Sequence, residues 1–211
     1  MMIPDKAVFQ NDAAFDALLP SSQSDLSRNQ WTPLSVVKEA ADFLAAPGRK
    51  VLDIGSGNGK FCLYAASLYP ETLFFGIEQR RDLDETAQSI KNLLGIQNVT
   101  FIRGDILRQD LRVYDAFYFY NAFYENLAYG SSGIQNAEPL IDLGDFEEEE
   151  GAEISSDLYF RSSEYLRESL ARTVPGTRLV TFHSAGIEVP RSFIEMSHPG
   201  HRALKFWIRK S

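Results

Sequence analysis

The stretch that most constrains this chain is Asp53-Ile54-Gly55-Ser56-Gly57-Asn58-Gly59. Three glycines at alternate positions behind an acid, after an apolar run and before an amphipathic one, mark a sharp strand-to-helix turn. Glycine suits such a turn because it adopts positive φ freely and lets backbone N–H groups approach a ligand with no Cβ in the way. A plain tight turn also favours glycine, so the loop alone names no ligand. The dinucleotide fingerprint G-x-G-x-x-G/A asks for Gly or Ala at position 60, and this chain has Lys60.

Around this loop, short apolar runs alternate with amphipathic stretches. Apolar positions at helical spacing from Pro33 (Val36, Val37, Ala40, Ala41, Phe43, Leu44) stop at the breaker pair Pro47-Gly48 and predict a helix. Strands are predicted over 50–54, 73–77, 99–103, 115–120 and 177–182, and helices over 60–69, 82–94 and 157–173. Strands separated by helices at this spacing imply βαβ units with right-handed crossovers, hence a parallel sheet covered on both faces. The last two apolar runs, 192–196 and 203–209, flank His198-Pro199-Gly200-His201 and read as a hairpin. The expected fold is therefore α/β: a doubly wound, mostly parallel seven-stranded sheet with helices on both faces and a C-terminal antiparallel hairpin. A chain of 211 residues with 44% hydrophobic content suits one such domain over 1–211, with 1–47 as an N-terminal helical cap.

Composition excludes several other classes. The apolar runs are short and interrupted by charge, so no membrane span or targeting segment is expected. One cysteine, Cys62, precludes an intramolecular disulfide, and the three histidines have no ligand spacing, so no metal site is expected. Cys62 reads as a small buried residue and the chain as cytoplasmic. Net charge is −8, but it is uneven. Between Arg112 and Arg161 there is no Lys or Arg, and eleven acids fall there, among them Glu147, Glu148, Glu149 and Glu150. The rest of the chain holds more bases than acids, and 161–211 carries nine bases against four acids. The acidic part, 125–157, exceeds ordinary loop length and reads as a loop or lid.

The glycine loop with its followers resembles the first motif of the class I S-adenosylmethionine-dependent methyltransferases, acid-x-Gly-x-Gly-x-Gly, over roughly residues 30–124. That resemblance implies a Rossmann-like fold and S-adenosyl-L-methionine as cofactor. It implies that Asp53, Gly55, Ser56, Gly57 and Asn58 form the cofactor loop. Glu78, ending Phe74-Phe75-Gly76-Ile77-Glu78, would accept from the ribose hydroxyls beside Gln79. Asp105, in Arg103-Gly104-Asp105-Ile106, would accept from the adenine amino group, with Ile106 against the ring. Trp31-Thr32-Pro33 resembles the segment that closes over the methionine end, which brings Thr32 into the set.

On the acceptor side, Tyr118-Phe119-Tyr120-Asn121-Ala122-Phe123-Tyr124 offers an amide oxygen to receive an attacking amine and aromatic faces suited to a cation. Aromatic core plus an Asn turn is the structural alternative. Asn121-Ala122-Phe123 resembles the Asn-x-Phe segment of the telomeric-silencing class of histone lysine methyltransferases. In that reading Asn121 orients the acceptor nitrogen and also borders the cofactor, while Phe123 and Tyr124 wall the channel. The segment 51–105 also resembles the transfer-RNA guanine methyltransferases, but their Pro-Asp-Pro-Trp run is absent after the fourth strand. So are both prolines of the adenine and cytosine amino-methylating enzymes.

A nucleic-acid enzyme should surround its mouth with Lys and Arg, whereas an acidic lid steers cations. The sequence therefore points to a Lys-like protein side chain or small amine as acceptor and argues against nucleic acid. RNA on the same fold is the first alternative, with 161–211 supplying basic surface. A non-catalytic cofactor-binding module is the second, and a nicotinamide oxidoreductase is disfavoured by Lys60. His183, at the end of the fifth strand, is a candidate proton shuttle, and oligomeric state stays open.

Overall fold

The computed structural model describes residues 5–24, 31–120 and 150–211, apart from 185 and 199. Seven strands form one sheet: β1 (Lys50–Ile54), β2 (Leu73–Glu78), β3 (Val99–Arg103), β4 (Ala116–Tyr120), β5 (Arg178–Phe182), β6 (Phe193–Met196) and β7 (Leu204–Arg209). Their order is β3-β2-β1-β4-β5-β7-β6. β1 to β5 pair in parallel, as in Ile54 opposite Ile77 on one side and Phe119 on the other. β7 is antiparallel to both β5 and β6, which sets the C-terminal hairpin into the sheet edge.

Helices cover both faces because every strand alternates its side chains between two cores. One core gathers Val51, Phe74, Ala116, Tyr118 and Val180 under α4 (Leu34–Leu44), α5 (Lys60–Leu68) and α6 (Arg81–Leu94). The other gathers Leu52, Ile54, Ile77, Phe117 and Phe119, with Leu166 and Leu170 of α7 (Glu150–Ala171) and two 3-10 turns at Ile106–Arg108 and Leu111–Val113. Among the described residues three short helices precede them: α1 (Asp5–Val8), α2 (Asp12–Asp16) and α3 (Ser21–Ser24).

Helix α7 begins at Glu150, ahead of the start at 157 that the apolar pattern predicts, so the last residues of the expected acidic loop are helical. Apolar spacing marks only the part of a helix that packs, and a polar extension beyond it carries no such mark. The remainder of that loop, and Asn121, Phe123 and Tyr124, lie outside the described residues. Among the described residues no helix is long and apolar enough to cross a membrane.

Candidate active site

The loop after β1 turns as its glycines require: Gly55, Gly57 and Gly59 all have positive φ, at 74°, 54° and 81°. Gly55 and Ser56 donate their N–H groups to Ile77 O at 3.0 and 2.9 Å, which seats the loop on the end of β2. Gly57 donates to Glu78 Oε2 at 3.0 Å, while Glu78 Oε1 accepts from the Arg80 N–H at 2.9 Å. The Glu78 carbonyl accepts from Gly104 N–H at 2.9 Å, tying the end of β3 to the same corner. One buried carboxylate thus binds the glycine loop, and its chain position joins three strand ends.

Two polar atoms of the loop are buried with no hydrogen-bond partner among the described residues, Ser56 Oγ and Asn58 Nδ2. The other end of the Asn58 amide, Oδ1, accepts from Lys60 N–H at 3.3 Å. A side chain at Gly57 would put its Cβ 3.4 Å from Trp31 Nε1, so the N-terminal segment closes directly onto the loop. Thr32 beside it is buried and shares a 2.8 Å hydrogen bond with the Tyr118 hydroxyl. Tyr118 stacks on Phe61 of α5 at 4.0 Å, and burial pushes its hydroxyl well above the ordinary tyrosine range.

Lys60, read in the sequence only as a departure from the dinucleotide pattern, holds this cap in place. It is 3% exposed, with Nζ 2.7 Å from Asp12 Oδ1 and 3.1 Å from Asp16 Oδ1 of α2. Asp12 Oδ1 also accepts from Leu34 N–H at 3.1 Å. It thereby serves a first-turn donor that Pro33, at the N-cap of α4, has no side-chain group to bind. A desolvated lysine requires such partners.

Asp53, in β1 just before the loop, turns its side chain to Cys62 of α5. It is 3% exposed, accepts from Cys62 Sγ at 3.7 Å, and burial, with some repulsion from Glu78, raises its carboxyl to about 8. Cys62 is fully buried, and burial together with Asp53 keeps its thiol protonated. Gln79 is exposed at the loop following β2. Asp105 caps the first 3-10 turn, accepting from Leu107 N–H at 2.9 Å, and Ile106 is buried with Ile54 and Ile77 in the second core.

At the neighbouring strand ends, Tyr120 closes β4 with its ring centroid 4.8 Å from Phe182 and 5.9 Å from His183. His183 has φ 49°, and burial first, then His201 nearby, lower its pKa, which favours the neutral imidazole at pH 7. The structure brings the other two histidines to the same end. His201 packs edge-on to Phe182 at 5.4 Å, and His198 stacks on Phe206 at 4.1 Å with Nδ1 3.1 Å from Glu39. Among the described residues no group of His, Cys, Asp and Glu is arranged to hold a metal ion.

Residues 45–123 match a family model described as a methyltransferase domain. The chain also resembles the crystal structure of an RNA methyltransferase from Salinibacter ruber in complex with S-adenosyl-L-homocysteine. That likeness has a TM-score of 0.50 at 18% identity and covers 85% of this chain and 92% of that one. The fold is that of the class I S-adenosylmethionine-dependent methyltransferases. S-adenosyl-L-methionine is the cofactor such a domain takes.

Among curated proteins, a tRNA (guanine-N(7)-)-methyltransferase of Synechococcus is 44% identical over 55 residues, covering 26% of this chain and 23% of the relative. Ribosomal RNA small subunit methyltransferase G of Bacteroides thetaiotaomicron is 38% identical over 55 residues, covering 26% of this chain and 27% of the relative. The chain thus spans about a quarter of the length of the curated relatives it matches.

These relatives correct the expectation about partners. The acidic stretch argued against nucleic acid and for a cationic protein or amine, yet the curated relatives are named for tRNA and rRNA. The charge of a sequence stretch is not the charge of a site mouth. Most of that stretch lies outside the described residues, and bases dominate the described C-terminal part.

Proposed function

We propose that this chain transfers the methyl group of S-adenosyl-L-methionine to a nitrogen of a base in RNA. The observation that carries the cofactor half is the three-glycine loop held in left-handed turns by Glu78 under Trp31. Its orphaned Ser56 and Asn58 atoms, and the space a Cβ at Gly57 would take, fit a bound polar ligand. The acceptor half rests on the tRNA and rRNA methyltransferases among the relatives.

When bound, the cofactor supplies an electrophilic methyl group on a sulfonium. Around it, this chain's residues position and shield. Glu78 keeps lone pairs beyond its bonds to Gly57 and Arg80, and these would accept from ribose hydroxyls. Asp105, one of whose oxygens caps Leu107, would hold the adenine amino group. Trp31 and Thr32 exclude water over the loop, anchored by Tyr118 and, through α2, by Lys60. Asn121, Phe123 and Tyr124, which follow the end of β4, are the residues proposed to line the acceptor channel. A neutral His183 is fit to take a proton from an acceptor nitrogen that must lose one.

Incubation with methyl-labelled S-adenosyl-L-methionine and, in parallel, bulk transfer RNA, ribosomal RNA and total protein tests this reading. Label should enter an RNA fraction and be recovered as a methylated base on nucleoside digestion. Label entering protein alone would overturn it.

A further inference from the structure

Away from the cofactor loop, on the opposite face of the sheet, the two 3-10 turns and the C-terminal half of α7 enclose an open cavity of about 410 Å³. Its lining includes Arg108, Arg112 and Arg172, with Gln109, Tyr165 and Ser169 between them. Asp110 is the single acid in that lining, and it is taken up by Arg112 through contacts of 2.9 and 2.8 Å. Arg172 rests on Ser169 Oγ at 2.9 Å and reaches Glu168 only at 3.9 Å. Arg108, Arg112 and Arg172 are all exposed. Tyr165 crosses the floor, its hydroxyl donating to Gln109 O at 3.4 Å.

The cavity continues as a stripe. Arg161 is exposed one turn before Tyr165 on α7, Glu164 and Glu168 are exposed on the same side, and Arg172 follows directly after the last helical residue, Ala171. At 1.5 Å per residue Arg161 lies about 15 Å along the axis from the helix end at Ala171, next to Arg172. The stripe is also joined to the site, since Asp105, proposed at the adenine end, caps the turn that carries Arg108.

We propose that this groove binds the phosphate backbone of the RNA substrate, with Arg108, Arg112, Arg172 and Arg161 on phosphates and Tyr165 available to a base. The inference rests on the RNA reading above and locates where the strand leaves the site. Guanidinium groups present paired donors that match phosphate oxygens, and surface ion pairs such as Arg112–Asp110 are weak enough to yield to a polyanion. An open groove lined by polar side chains suits an extended charged strand, whereas small-molecule sites are enclosed and mostly apolar.

Fluorescence anisotropy with fluorescein-labelled bulk transfer RNA, titrated between 50 and 200 mM salt, tests the groove in the full chain. Each neutralised phosphate contact removes about 0.7 to 0.9 from the slope of log affinity against log salt. Arg108→Gln/Arg172→Gln should therefore lose about 1.5 of slope and bind RNA on the order of tenfold more weakly at the lower salt. Arg108→Gln alone, a change at an exposed side chain that leaves the fold unloaded, should lose about half of that slope. S-adenosyl-L-homocysteine affinity should be unchanged in both, and Lys38→Gln on the opposite face should match wild type. Variants that bind RNA with wild-type affinity and slope would overturn the groove while leaving the RNA reading intact. A wild-type protein that binds no RNA would overturn both. Displacement of the RNA by polyglutamate at equal charge concentration would reassign the groove to an acidic protein and overturn the proposal.

Discussion

Gly59→Ala should lower the melting temperature by roughly 10 °C. Two costs coincide at this residue. Its φ of 81° lies in the left-handed region, where an L side chain costs about 1–2 kcal/mol. The added Cβ would also overlap the Phe101 ring and stand 3.0 Å from the Ala87 Cβ, which forces the ring or helix α6 to shift at about 1–3 kcal/mol. At about 2–4 °C per kcal/mol for a chain of this size, the sum gives the stated shift. Thermal melting followed by circular dichroism checks it, and a shift under about 2 °C would mean that neither constraint operates.

The pH dependence of stability should carry the signature of Asp53. Burial raises this carboxyl from its ordinary value to about 8, so the folded state keeps a proton that the unfolded chain has released. With the folded pKa above the unfolded one, the stabilising contribution is complete below about pH 4 and is lost as pH rises toward 8. Across that window the single proton contributes a slope of about 1.4 kcal/mol per pH unit. Asp53→Asn mimics the protonated carboxyl in shape and cannot ionise. The variant should therefore gain on wild type as pH rises from 5 to 8, and the difference should level off above that. Urea unfolding at several pH values measures the difference, and parallel curves for the two proteins would show that Asp53 is ionised in the folded state.

Most of the fold was legible because its signals are local. β1, β3 and the helix at 34–44 follow directly from apolar spacing and breaker residues, and the positive φ values at Gly55, Gly57 and Gly59 follow from residue type. What escaped was carried by side chains meeting across the chain. Lys60 finds Asp12 and Asp16 more than forty residues earlier, and Thr32 finds Tyr118 eighty-six residues later. No periodicity marks such pairs, and a lysine opening a helix gives no sign that it will be buried. The surroundings of Asp53 were hidden for a similar reason. Alternation along β1 turns its side chain inward to Cys62, nine residues on, a contact that the motif pattern does not mark. The arginine cluster was the least legible feature, since the eleven acids of 113–160 dominate the sequence while these arginines meet only in space.

Titration calorimetry with S-adenosyl-L-homocysteine tests the central claim most directly. Wild type should bind one molecule per chain. Gly57→Val, which fills the space between the loop and Trp31 at a residue with φ of 54°, should abolish that binding while far-UV circular dichroism still reports the native sheet. No heat with the wild-type protein, or equal affinity in the folded variant, would contradict a cofactor site at the glycine loop.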